Sequence, residues 1–120
     1  MIDHLKLFVR DFERSRSFYE RALEPLGYRV MLTPAPGVAG LGRDMPDFWI
    51  AQGEPAAVAH VAFRADSRQL VDAFHAAALA AGGADNGGPG PRPRYHPAYY
   101  GAFVHDPDRN NVEAVCHAPA

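Results

Sequence analysis

Apolar and polar positions alternate at the start of the chain. Leu5, Leu7 and Val9 are separated by Lys6 and Phe8, and this period of two predicts a strand over residues 2–9. Asp11 is a candidate N-cap, after which Phe12, Ser15, Phe18, Tyr19, Ala22 and Leu23 recur at helical spacing. Pro25 and Gly27 stop that helix. Strands are predicted at 28–32, 38–41 and 47–52, with the proline-bearing stretch 33–37 as a loop. The order then restarts. Residues 57–65 read as a strand, and Asp66 or Ser67 caps a helix carrying Leu70, Val71, Phe74, Ala77, Ala78 and Ala81 on its apolar side. Gly82 and Gly83 end it, 86–97 is a long Gly/Pro-rich loop, and 99–105 and 111–117 are strands around an Asp/Pro/Asn turn at 106–110.

The element order β-α-β-β-β therefore occurs twice. Laying His4 on His60 brings Phe18 onto Phe74, Ala22 onto Ala78, Leu23 onto Leu79 and Gly27 onto Gly83. The Gly/Pro-rich loop shifts the later register, and Trp49 then falls on Glu113. The competing reading is coincidence in an alanine-rich chain. The repeat predicts an α+β chain of two modules, about 1–53 and 57–117, within a single domain over 1–120.

Composition narrows the class. The 120 residues are 48% hydrophobic and 22% charged, as in ordinary globular proteins. A formal net charge of −2 and a pI near 6.3 argue against a nucleic-acid partner. Cys116 is the only cysteine, which excludes an intrachain disulfide and any CxxC metal site. No apolar run approaches bilayer length and the first residues are too charged for a signal peptide, so the expectation is a cytoplasmic protein with no membrane partner.

Alternation assigns faces. His4, Lys6 and Phe8 share the face of the first strand opposite its helix, His60, Ala62 and Arg64 the same face of the fifth, and Glu113 with Val115 that of the last. His4, His60 and Glu113 are thereby expected to point into one concavity. Two imidazoles and a carboxylate are a facial ligand set for a divalent metal, and three protein ligands leave positions open for substrate. The competing reading is a pair of hydrogen-bonded surface histidines. Imidazole and carboxylate suit Zn, Fe, Mn, Ni and Co alike.

The stretches IDHLKLFVRDFERSRSFYERALEPLGY, HVAFRA and DPDRNNVEAV resemble the vicinal oxygen chelate superfamily, which includes glyoxalase I, bleomycin-resistance proteins, fosfomycin-resistance enzymes and extradiol dioxygenases. The resemblance covers essentially the whole chain. It implies two βαβββ modules forming an eight-stranded, U-shaped mixed sheet around a metal, with helices on the outer face and His4, His60 and Glu113 as metal ligands. Two departures matter. Glyoxalase I of the usual kind carries a fourth ligand, a Glu, where Trp49 aligns, and indole cannot ligate. The family turn often reads DPDGN, whereas Arg109 stands here in place of the glycine, at a position that a positive φ would strain.

The loop GPGPRPRYHPAYYG concentrates Arg92, Arg94, Tyr95, His96, Tyr99 and Tyr100. With Trp49, the residues Arg92, Arg94, Tyr95 and Tyr99 are the candidate substrate-binding set, and His96 and Tyr100 the candidate proton-transfer residues. The competing reading is a solvated Pro-rich loop. The expected function is a metal-dependent, glyoxalase-like lyase or isomerase on a small oxygen-rich substrate held bidentate. The alternatives are a non-catalytic small-molecule or antibiotic binder and an extradiol-type dioxygenase. A homodimer is expected, because the strands at the module edges need cover.

Overall fold

The computed structural model describes Met1–Ala120. Its elements are β1 (Leu5–Val9), α1 (Phe12–Ala22), β2 (Arg29–Leu32), β3 (Val38–Gly42), β4 (Pro46–Gln52), β5 (His60–Arg64), α2 (Arg68–Ala80), β6 (Ala84–Asp85), β7 (Gly90–Pro91), β8 (Tyr100–His105) and β9 (Asn111–Cys116). A 3-10 turn, Glu24–Leu26, follows α1. Neither helix is long and apolar enough to cross a membrane.

The helices form where capping and apolar spacing agree. The Asp11 carboxylate accepts from the Arg14 N–H at 3.1 Å, and α1 buries Ser15, Phe18, Tyr19 and Ala22. For α2 the cap is Ser67, not Asp66: its hydroxyl accepts from the Leu70 N–H at 3.2 Å. Phe74 and Ala78, the repeat partners of Phe18 and Ala22, are buried likewise. The repeat breaks at Leu79, which is 38% exposed where Leu23 is fully buried.

The α+β class holds, and the element order repeats except that the second module carries one additional strand, β6 and β7 being two residues each. The strands of one chain, however, are hydrogen-bonded as two sheets, β1-β4-β3-β2 and β5-β9-β8-β6 with β7 also on β8, and not as one continuous eight-stranded sheet. β1 and β5 are each an outer strand of their own sheet. The first strand is also shorter than expected, so His4 precedes β1 by one residue. Within each sheet the first and last strands of the module pair in parallel. Lys6 is opposite Trp49, and Ala62 is opposite Glu113. The registers therefore make Trp49 the counterpart of Glu113, as the repeat predicts.

One core joins the modules. Tyr19, Phe48 and Phe63 stack edge to face with centroids 4.8 and 5.2 Å apart, and Tyr28 meets Phe63 at 5.4 Å. Beside it lies a buried polar hub in the turn before β9. Asp106 is 4% exposed and accepts from the Tyr19 hydroxyl, the N–H groups of Asp108 and Asn110, and the Asn110 amide. Arg10, just after β1, donates from its guanidinium to Asp108 at 3.2 Å. The first module, through Arg10 and Tyr19, is thus tied to the turn that launches β9 in the second.

That turn contains the expected strain. Arg109 has φ 70°, the left-handed region, and its exposed guanidinium makes no ion pair. Arg109→Gly should stabilise the protein by about 1 kcal/mol, the relieved backbone strain less the extra freedom of an unfolded glycine. Urea unfolding would show this as a higher midpoint with an unchanged slope; a lower midpoint would mean that the arginine side chain contributes more than its backbone costs.

Candidate metal centre

The open face of the second sheet carries His60 at the start of β5 and Glu113 in the middle of β9. His60 Nε2 lies 2.9 Å from Glu113 Oε1. The other carboxylate oxygen accepts from the Tyr99 hydroxyl. Glu113 is almost entirely buried, its side chain 2% exposed, whereas the His60 side chain is 54% exposed. Burial, then the Glu113 carboxylate, holds the Tyr99 phenol well above its ordinary value, so it stays a donor at neutral pH. Gly101 makes room for this pairing. A Cβ there would sit 3.1 Å from Glu113 Oε2 and 3.2 Å from the Tyr99 ring. These groups line a cavity of about 400 Å³ together with Tyr95, His96 and Phe103.

His4 is elsewhere. Arg10, at the far end of β1, reaches Asp108, and His60 pairs with Asn111 at the start of β9. The beginning of β5 is thereby tilted toward the end of β1, and although Asp3 and His60 both line one groove of about 440 Å³, His4 itself does not line it. The three expected ligands do not come together within one chain: no group of three His, Cys, Asp or Glu side chains in the chain is placed to hold a metal. The reason is the pseudo-twofold itself: it makes the two histidines equivalent without making them neighbours. His4 lines a second cleft of about 480 Å³ with Asp3, Lys6, Val38, Met45, Pro46 and Trp49. Its Nδ1–H donates to Asp3 at 2.6 Å, which leaves the Nε2 lone pair free in the neutral ring.

Trp49 is on the open face, as the repeat register requires. Phe48 and Ile50 are buried against the helix side, and Trp49 is partly exposed. Its ring lies over Gly40, where a Cβ would come within 2.8 Å of it.

The loop residues divide. Tyr95, His96 and Tyr99 line the Glu113 cavity. His96 is bound at both nitrogens: Nδ1 accepts from the Ala98 N–H at 3.1 Å, so the neutral ring carries its proton on Nε2 and donates to His117 Nδ1 at 2.7 Å. His117, just after β9, is thus the anchor of this loop. Arg92 is occupied. Its guanidinium donates to the carbonyls of Gly88, Gly90 and Pro91 and lies over the Phe103 ring. Arg94 is exposed over Tyr95, 5.3 Å from its centroid. Tyr100 is a correction. Its hydroxyl donates to Asp72 on α2 at 2.7 Å and Arg68 covers its ring, so it faces the helix and takes no part in the cavity. Tyr99 directly precedes β8 and Tyr100 opens it; adjacent residues of extended backbone point to opposite faces, and of the two only Tyr99 is on the side of Glu113.

The donor chemistry fits a divalent cation in part. His60 Nε2 and Glu113 Oε1 converge, one a neutral-imidazole donor and the other a carboxylate with Tyr99 fixing its second oxygen. One chain brings two of the three expected ligands together.

Residues 1–114 match the family described as the Glyoxalase/Bleomycin resistance protein/Dioxygenase superfamily. A glyoxalase/bleomycin resistance protein from Albidiferax ferrireducens T118 is 31% identical with a TM-score of 0.81, covering 95% of this chain and 97% of that one. A glyoxalase/bleomycin resistance protein/dioxygenase family enzyme from Burkholderia phytofirmans PsJN shares the fold at 21% identity and TM-score 0.77, covering 98% of each chain. The fosfomycin resistance protein FosX from Mesorhizobium loti does so at 23% and 0.70, covering 97% of this chain and 91% of that one. Among functionally curated proteins none matches.

Proposed function

The chain belongs to the glyoxalase/bleomycin resistance protein/dioxygenase superfamily, and on that footing we propose that it is a metal-dependent enzyme, of the glyoxalase-like lyase or isomerase kind, for a small substrate with two neighbouring oxygens. The observation that carries the reading is Glu113. A carboxylate buried to 2% exposure, between Ala62 and Phe103 in register, costs several kcal/mol unless compensated. Its partners are one half-exposed imidazole and one phenol, both on the cavity side. That arrangement suits a site whose full partner is a cation.

The ion, one of Zn, Fe, Mn, Ni or Co, would be held by His60, Glu113 and a second imidazole, the partner's His4. When bound it supplies Lewis acidity to a bidentate oxygen substrate. The chain's own residues do the rest. Tyr99 keeps its proton and holds the carboxylate in one orientation. Tyr95 and Phe103 wall the cavity against water. His96, fixed between Ala98 and His117, holds the loop over the cavity mouth. Supplying His4 from a second copy makes the protein a homodimer. The uncovered outer strands β1 and β5 and the exposed Leu5, Phe8 and Val58 favour such an assembly.

Elemental analysis of protein purified without chelator should find one divalent ion per chain. Sedimentation should find a particle of about twice the 13.1-kDa chain mass. His60→Ala and Glu113→Gln should each lower metal affinity by about 10-fold to 100-fold with the fold retained. Protein that holds no metal and gains no thermal stability from any of the five ions would favour the non-catalytic binder.

A further inference from the structure

The cleft beside His4 has a chemistry of its own. The chain uses arginine for eleven of its twelve basic residues; its one lysine is Lys6 and its one tryptophan is Trp49. The two are direct partners across β1 and β4, on the same open face. The indole lies flat because Gly40 beneath it has no side chain, which turns the other ring face toward the cleft. A flat indole with one open face is a stacking platform for a conjugated group. Lys6 is exposed, has no carboxylate within ion-pair distance, and stands two residues from His4 on the same face, its ammonium resting 5.3 Å from the Phe8 ring centroid. The acidic side chain in the cleft, Asp3, is engaged with His4. A compact ammonium on a flexible stem suits a single anionic group, without the planar fork that a guanidinium imposes.

We propose that Lys6 and Trp49 are the substrate-selecting wall of the site, and that the substrate is an aromatic or conjugated 2-oxo or 2-hydroxy carboxylate: the planar part stacks on Trp49 and the carboxylate meets Lys6. The metal-dependent reading supplies the partner for the vicinal oxygens, and this inference rests on it for the reaction. The binding preference belongs to residues of one chain's cleft and is measured separately. By the repeat, Lys6 and Trp49 hold the places that Ala62 and Glu113 hold in the second module. One module thus gives its open face to holding charge at the metal, the other to choosing what reaches it.

The test uses the full-length protein with two probes of similar shape, benzoylformate and the uncharged 1-phenylpropane-1,2-dione. Titration calorimetry gives the affinities, and emission of the single tryptophan reports contact with the ring. Wild type should bind benzoylformate roughly tenfold more tightly than the dione and lose Trp49 emission on binding. Lys6→Gln should shrink that preference severalfold, leaving the dione within about twofold of wild type, and Trp49→Leu should weaken both probes. Equal affinity for the two probes, an unchanged preference in Lys6→Gln, or no binding of either probe overturns the inference. Metal content measured on the same samples separates the two readings. Protein that lacks metal yet shows the Lys6-dependent preference upholds the selecting wall and removes the metal chemistry. Metal-loaded protein with no charge preference removes the selecting wall alone.

Discussion

Mixing two inactive ligand variants should restore metal binding. His4→Ala and Glu113→Gln homodimers each lack a ligand at both sites and should bind metal poorly. Unfolded together in equal amounts and refolded, half of the dimers are mixed. In each mixed dimer one site collects both defects and the other collects none. About a quarter of the wild-type sites should therefore return, measured as tightly bound Ni²⁺ or Mn²⁺ per chain. The prediction follows from the placement of His4 and His60 in different cavities of one chain, with His60 and Glu113 in contact. A site closed within one chain gives no recovery, whatever the mixing ratio. Neither variant should lose its fold. His4 is exposed and outside β1, and Glu113→Gln removes a buried charge while keeping the side-chain volume.

Much of this architecture is legible in the residues, and the parts that are not have a common cause. The period-two pattern and the His4/His60 equivalence set the register well enough to place Trp49 on the open face, because a slip of one residue would have exposed Phe48 and Ile50. The same pattern could not show that equivalent residues lie apart. A repeat fixes what corresponds, whereas proximity depends on how the modules pack, here through one shared core of Tyr19, Phe48 and Phe63. Tyr99 and Tyr100 are indistinguishable by composition, and only the parity of the backbone entering β8 separates the residue that holds Glu113 from the one that holds α2. Arg92 is read from sequence as a free cation for substrate. Its own loop, short of hydrogen-bond donors because of its prolines, takes it up through three carbonyls. The Asp3–His4 pair is visible in the sequence as adjacent residues, and the structure gives it meaning by leaving Nε2 free.

The polar hub behind the site should be the most costly place to cut the fold. Asp106→Ala leaves the Tyr19 hydroxyl, two backbone N–H groups and the Asn110 amide without an acceptor, all within a buried turn. Unsatisfied buried donors cost about 1–3 kcal/mol each, and with partial relaxation the variant should lose about 3–5 kcal/mol. Asp106→Asn keeps the volume and one acceptor oxygen, so its loss should fall between wild type and alanine. The role of Tyr19 has a signature in pH. Burial first, and Asp106 second, hold its phenol well above the ordinary value. A raised folded-state value means that this contribution is complete below the unfolded phenol's value of about 10 and is lost as pH rises beyond it, because only the unfolded chain gives up the proton. Tyr19→Phe should therefore cost stability at pH 7 and flatten the decline that wild type shows in alkali; an identical alkaline decline in both would mean that other tyrosines set it. The consequence for the site is direct. Asn110 closes the turn and Glu113 lies three residues further along β9, so a turn loosened by Asp106→Ala also loosens the carboxylate. Its metal affinity should fall with its stability, while Arg109→Gly, which relaxes the same turn without removing a bond, should leave metal affinity unchanged. A stable Asp106→Ala protein with normal metal binding would show that β9 is positioned by its ladders with β5 and β8 alone.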